Sequence, residues 1–357
     1  MCVDPIFIVG TERSGSNLLR QMLDAHSDIA VPHPPHVLRY FAPLERYYGD
    51  LRLDANLRCL AADVAWLVRR HIYPWPFAVD EAALVRDARW RDLFGLYAAL
   101  YDQYAAAMKK RRWCCKSTFM VHFVDRIVER YPSARIIWLV RDPRDVAASS
   151  QRSVFNPCHP YRTALLWKEQ QDLARRFEAV LRPENLLRMH YEALVTSPAE
   201  TLQAICRFVG VEFEPRMLSF FERDEARRSA SLASDWRNTA RPVMATNVKT
   251  FSKLLSPRSV AMVEAAAGDT MEALGYRVES SAAAYRPGVV GRARILLASA
   301  VVRTTVECRS ILRDRNVWRR WGRWVALRVI VVRARLRYWM WHRRSARPYA
   351  ETAGTPR

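Results

Sequence analysis

The chain has 357 residues, half of them apolar, with a formal net charge of +21. That is room for a sizeable core, and it points to anionic partners rather than to basic or neutral ones. The charge is uneven: from residue 285 onward 18 Arg face only Glu307, Asp314 and Glu351, a net of +15 that leaves +6 for the first 284 residues.

The seven cysteines, an odd count without C-x-x-C spacing, match neither a disulfide framework nor a zinc site, and they suit a reduced, cytoplasmic chain. The first five residues lack a basic region, the apolar run 6–9 is too short for a secretory signal, and no run reaches the length of a membrane span.

In chain order, Ile6-Phe7-Ile8-Val9 closed by Gly10 predicts a buried parallel strand. Thr11-Glu12-Arg13-Ser14-Gly15-Ser16-Asn17 follows, then an amphipathic helix from Leu18 to Leu23. Strand, small-residue loop and helix form a phosphate-binding start, and Gly10 to Gly15 has G-x-x-x-x-G spacing, whose backbone N–H groups cradle phosphate oxygens. A magnesium-dependent nucleotide site needs Lys and then Ser or Thr after the second glycine. Here Ser16-Asn17 stands there and the basic residue is Arg13.

Residues 37–112 carry helical periodicity and the aromatics Tyr47, Tyr48, Trp66, Tyr73, Trp75, Phe77 and Tyr101. They read as a helical insertion that either shapes an acceptor pocket or is a layer with no substrate role. A second buried strand spans 135–140, followed by Arg141-Asp142-Pro143-Arg144-Asp145 and a helix containing Ser149. An arginine at a strand end and a hydroxyl eight residues on can grip one phosphate. A third strand spans 185–190, and Ser197-Pro198 marks another helix start, with Ser as N-cap and Pro in the first turn. The alternation implies an α/β fold with a parallel sheet covered on both faces. The core ends near Leu274-Gly275-Tyr276, and the Ser/Ala-rich stretch 280–284 reads as a linker between a domain at 1–280 and an Arg/Trp-rich extension at 285–357.

These motifs resemble the sulfotransferase family that uses 3′-phosphoadenosine-5′-phosphosulfate, in its bacterial or tyrosylprotein-like form. Thr11 through Leu19 looks like the family's 5′-phosphosulfate loop, and Trp138 through Ser149 like its 3′-phosphate segment. Tyr191-Glu192-Ala193-Leu194 resembles the element whose tyrosine lies near the adenine. The likeness runs over about residues 5–276. It implies a P-loop-like sheet and a metal-free donor site. In that site Arg13, Ser14, Gly15, Ser16 and Asn17 hold the phosphosulfate, Arg141 and Ser149 the 3′-phosphate, and Tyr191 the base. Arg237, Asn247 and Lys249 belong to the region that closes over the donor. Ser16-Asn17 replaces the family's Thr-Thr, which weakens one hydroxyl contact and leaves the backbone cradle in place.

The resemblance also implies two cations at the sulfur, Arg13 and Lys116 of Cys115-Lys116-Ser117. The histidine that cytosolic members place two residues after this lysine is Thr118 here, and the glutamate of the tyrosylprotein type is missing from 30–36, which reads Ala-Val-Pro-His-Pro-Pro-His. His33 or His36 is therefore the expected base, the two unranked, with His122 and Glu12 behind them.

In the extension, Trp318, Trp321, Trp324, Trp339 and Trp341 are interleaved with arginines and apolar patches. This suits the surface of an anionic membrane on the cytoplasmic side, or a helical layer packed on the core, with nucleic acid or acidic glycan as the weakest reading. The sequence thus predicts sulfuryl transfer to a hydroxyl, less readily an amine, of a small-molecule, lipid or glycan acceptor. Its rivals are a P-loop kinase or nucleotide hydrolase, and a non-catalytic anion- or membrane-binding protein on the same scaffold.

Overall fold

A computed structural model describes residues 4–156, 158–279 and 285–345, with side chains in the last helix to residue 340. The expected linker at 280–284 and the Trp341 side chain lie outside the described parts. Five short strands form one parallel sheet: β1 Ile6–Gly10, β2 Ile29–Ala30, β3 Arg112–Lys116, β4 Arg135–Val140 and β5 Leu186–His190, in the order β2-β3-β1-β4-β5. The α/β reading, a P-loop-like parallel sheet flanked by helices, holds.

β1 and β4 are continuous apolar runs because both faces of the sheet are covered. On one face Ile6, Ile8, Ile137 and Leu139 meet Leu19 and Leu23 of the helix Ser16–Asp24, and Leu202 and Ile205 of the helix Pro198–Val209. Each such buried side chain contributes about 1.5–3 kcal/mol, so the strand ends rest on a close-packed floor. On the other face the helix Pro160–Val180 places Gln171 between Trp138, whose indole N–H donates to it at 2.6 Å, and Thr11, to whose hydroxyl it donates at 2.9 Å.

Local signals set the helix starts. Pro143 opens the helix Pro143–Ser150, and the Asp142 carboxylate accepts the Arg144 backbone N–H at 2.8 Å. Ser197 does stand at the N-cap before Pro198, but its side chain makes no capping bond.

By its contacts the chain divides into two compact units, 1–34 with 108–317, and 35–107 with 318–357. The first holds the sheet. The second holds the helices Val37–Phe41, Asp54–Arg69, Glu81–Arg86 and Leu93–Ala107, together with nearly all of the helix Val317–Ser345. Several aromatics of the insertion form its core: Tyr48, Tyr73, Trp75 and Tyr101 are buried, and Trp75 meets Tyr104 edge-on at 4.7 Å.

Candidate active site

All strands of a parallel sheet end on the same edge, so the residues that follow them gather there. In this sheet Arg13 follows β1, His33 follows β2, Lys116 closes β3, Arg141 follows β4 and Tyr191 follows β5. β1 and β4 are neighbours in register, Gly10 opposite Leu139, so the phosphate loop and the arginine motif leave the sheet side by side.

The loop 11–15 is shaped by positive-φ residues: Gly10 at 143°, Arg13 at 72° and Gly15 at 88°. A Cβ on Gly15 would run into the Tyr191 ring, and one on Gly10 into the Leu139 carbonyl. The helix Ser16–Asp24 starts at once, with Gly15 as its N-cap. Its first N–H groups have no partner within the helix and carry the positive end of its dipole. The Ser14 hydroxyl is fully buried, and it and Arg141 Nε have no hydrogen-bond partner among the described residues. Orphaned donors beside a helix N-terminus are the chemistry that a phosphate or sulfate group satisfies.

The two motifs join directly. Arg13 Nε donates to Ser149 Oγ at 3.1 Å, and its guanidinium also lies 3.3 Å from the Asp235 carboxylate. Arg141 donates to the Arg13 carbonyl at 3.0 Å and to the Asn247 carbonyl at 2.9 Å, and its guanidinium lies over the Tyr191 ring at 4.2 Å. Asn247 also bonds the Tyr191 hydroxyl, whose pKa is pushed up chiefly by burial. Asp145 accepts the Lys249 backbone N–H at 2.8 Å, which fixes the turn carrying Asn247. Of the expected donor contacts, Arg13, Ser14, Gly15, Ser16, Arg141, Ser149, Tyr191 and Asn247 thus occupy one connected region. The side chains of Lys249 and Arg237 are exposed. Asn17 spends its side-chain oxygen on Arg20 Nε at 2.9 Å.

Lys116, half-buried at the end of β3, has its pKa pushed down to about 8, first by burial and then by the nearby Arg20 guanidinium, with the Glu12 carboxylate opposing the shift and Arg13 adding to it. Arg20 is buried and donates to the Val31 carbonyl at 3.0 Å and to Glu225 at 3.0 Å. His33 belongs to the same network: its Nε2 is 3.1 Å from Ser229 Oγ and 3.9 Å from Glu225, and its ring lies 4.6 Å from that of Trp236. Trp236 in turn stacks on Phe155, 5.6 Å away and 15° from parallel. His36 falls in the second unit, partly exposed, with φ 54°, at the start of the helix Val37–Phe41. Exposed His122 packs its ring on Phe119 at 4.8 Å.

Sequence reasoning missed Arg20, Glu225 and Asp235 as members of this network. Arg20 shares its side of the helix with Ser16, Asn17 and Asp24, so the sequence pattern does not mark it.

The assembly is a P-loop-like fold with a cationic, phosphate-shaped edge. A profile of the sulfotransferase family matches residues 5–215. The chain belongs to the sulfotransferase family. It is 24% identical over 279 residues to protein-tyrosine sulfotransferase 1 of Danio rerio, covering 76% of this chain and 72% of that one. It is 26% identical over 314 residues to nodulation protein NoeE of Sinorhizobium fredii, covering 81% and 69%. The sulfotransferase domain of the curacin biosynthetic pathway has a similar fold, with TM-score 0.53 and 21% identity over 77% of this chain and 99% of that domain.

Proposed function

We propose that the edge at β1, β4 and β5 holds 3′-phosphoadenosine-5′-phosphosulfate as co-substrate and that the enzyme moves its sulfuryl group to a hydroxyl of a small-molecule, lipid or glycan acceptor. The observation that carries this reading is the pair of hydrogen bonds, Arg13 to Ser149 and Arg141 to the Arg13 carbonyl, which bring the loop and the arginine motif together. Loop N–H groups, Ser14 and Arg13 suit the 5′ end of the donor, Arg141 and Ser149 the 3′-phosphate, and Tyr191 with Asn247 the nucleoside between them.

The bound donor supplies an electrophilic sulfur whose bond to the bridging phosphate oxygen breaks as the acceptor oxygen bonds, the electron pair leaving on the phosphate. The chain's part is to align the two reactants, to meet the negative charge that builds on the leaving oxygen, and to take the hydroxyl proton. Lys116 and Arg13 supply the positive charge. For the proton, His33 follows β2 at the same edge, in the unit that holds the loop, and its Nε2 lies 3.1 Å from Ser229 Oγ and 3.9 Å from Glu225. His33 is therefore the one of the pair that we assign as base. We place the enzyme in the cytoplasm, on seven cysteines without C-x-x-C spacing. The test is transfer of labelled sulfate from the donor into lipid and metabolite extracts, read by mass. Labelled product that disappears in Arg141→Ala supports the reading, and absence of product in every acceptor class, with a folded protein, overturns it.

A further inference from the structure

The helix Val317–Ser345 carries a buried stripe and, opposite it, an exposed apolar one. The first faces its own unit: Arg323, Ala326, Ile330 and Ala334, spaced at three, four and four residues, are buried. Arg323 donates to the Leu67 carbonyl at 3.1 Å and the Pro35 carbonyl at 2.6 Å, while Arg333 and Arg337 lie 3.3 and 3.2 Å from the buried Asp63 carboxylate. These contacts fix the helix on its unit and leave the opposite side outward.

The outward side bears Trp318, Trp321, Val325, Val332, Leu336 and Trp339, each 41–75% exposed. At 100° per residue these six fall within an arc of about 60°, opposite the buried stripe. A continuous exposed strip of large apolar side chains is rare on a chain that meets only water. Beside it stand the exposed Arg328, stacked over Trp324 at 5.0 Å, and the exposed Arg335. Between 317 and 345 there are nine arginines and no acidic residue.

We propose that this outward face docks on an anionic lipid bilayer, the helix lying in the plane of the interface. Indole rings sit at the boundary between headgroups and acyl chains, the Val and Leu side chains enter the apolar layer, and the arginines reach up to lipid phosphates. No helix among the described residues is long and apolar enough to cross a membrane, so the contact is superficial. The same face is poorly suited to a second copy, because the exposed Arg328 and Arg335 beside the strip would meet their counterparts. It is poorly suited to nucleic acid, because Val325, Val332 and Leu336 have no stacking or hydrogen-bonding use there.

The test is co-sedimentation of the full chain with phosphatidylcholine vesicles, with and without phosphatidylglycerol. The expected result is sedimentation only with the anionic vesicles, falling with added salt. Two variants report on the face, each checked by circular dichroism: Trp318→Ala/Trp321→Ala/Trp339→Ala should weaken partition by roughly tenfold or more, and Arg328→Gln/Arg335→Gln should weaken it several-fold. No sedimentation by the wild-type chain, equal sedimentation with neutral vesicles, or folded variants that sediment like wild type would overturn the proposal. So would a self-associated chain that becomes monomeric in the tryptophan variant without vesicle binding, or preferential binding of an RNA oligonucleotide.

Discussion

Arg13 Nε lies 3.1 Å from Ser149 Oγ, a hydrogen bond between residues 136 positions apart. It exists because β1 and β4 pair in register and release their following segments at the same edge. Arg13→Ala and Ser149→Ala should each weaken binding of adenosine 3′,5′-bisphosphate, the donor's desulfated form. Because the two side chains touch, their effects should fail to add by about 0.5–3 kcal/mol in a double-mutant cycle. Strict additivity in calorimetry would mean that they serve separate sites.

Gly15 has φ 88°, and an added Cβ would run into Tyr191. Gly15→Ala should therefore cost about 1–2 kcal/mol in backbone strain alone and more once the tyrosine moves. Urea unfolding and nucleotide binding should both report it. A variant with wild-type midpoint and affinity would show that the loop is more pliant than its geometry implies.

The Lys116 ammonium, with its pKa pushed down to about 8, is charged below that pH and neutral above it. Donor affinity should fall as pH rises through about 8, with bound phosphates moving the step upward. In Lys116→Arg, which stays charged, this step should vanish. The stability effect has the opposite sign. Folding depresses this pKa, so the unfolded chain holds the proton more tightly between about 8 and the ordinary lysine value. Stability should rise across that window as burial of the charge is relieved. Lys116→Met should remove turnover yet be more stable than wild type at neutral pH, as read by urea unfolding.

The two histidines should separate in turnover. His33→Ala should lose turnover by about 100- to 10,000-fold with donor affinity kept. His36→Ala should leave turnover within a few-fold of wild type, because His36 belongs to the other unit. Near-normal turnover in both single variants and in the double variant would move the search to Glu12 and His122.

What could be read from the sequence was what is contiguous in the chain. β1, its loop, β4 with Arg141 and Ser149, and the helix opened by Pro198 all announce themselves within a dozen residues. β2 has only two residues, and β3, as long as β1, begins with Arg112 and ends with Lys116, so only Trp113-Cys114-Cys115 is apolar and no buried run stands out. Arg20 with Glu225, and Arg13 with Asp235, meet only after folding, across more than two hundred residues, and no spacing rule links them. The environments that separate His33 from His36 are likewise products of packing. The order His-Pro-Pro-His names both side chains and ranks neither.

The central claim is that the β1 loop and the β4 motif together form one donor site in which Arg141 is the anchor. The most direct test is calorimetric binding of adenosine 3′,5′-bisphosphate, with chelator present, to wild type and to Arg141→Ala. Loss of a buried, charge-assisted contact is worth about 1.5–3 kcal/mol, or roughly 10- to 100-fold in affinity. Wild type should bind without magnesium, and Arg141→Ala should weaken by that factor with its fold intact. Equal affinity in a folded Arg141→Ala protein, or binding by wild type only when magnesium is added, would contradict the account.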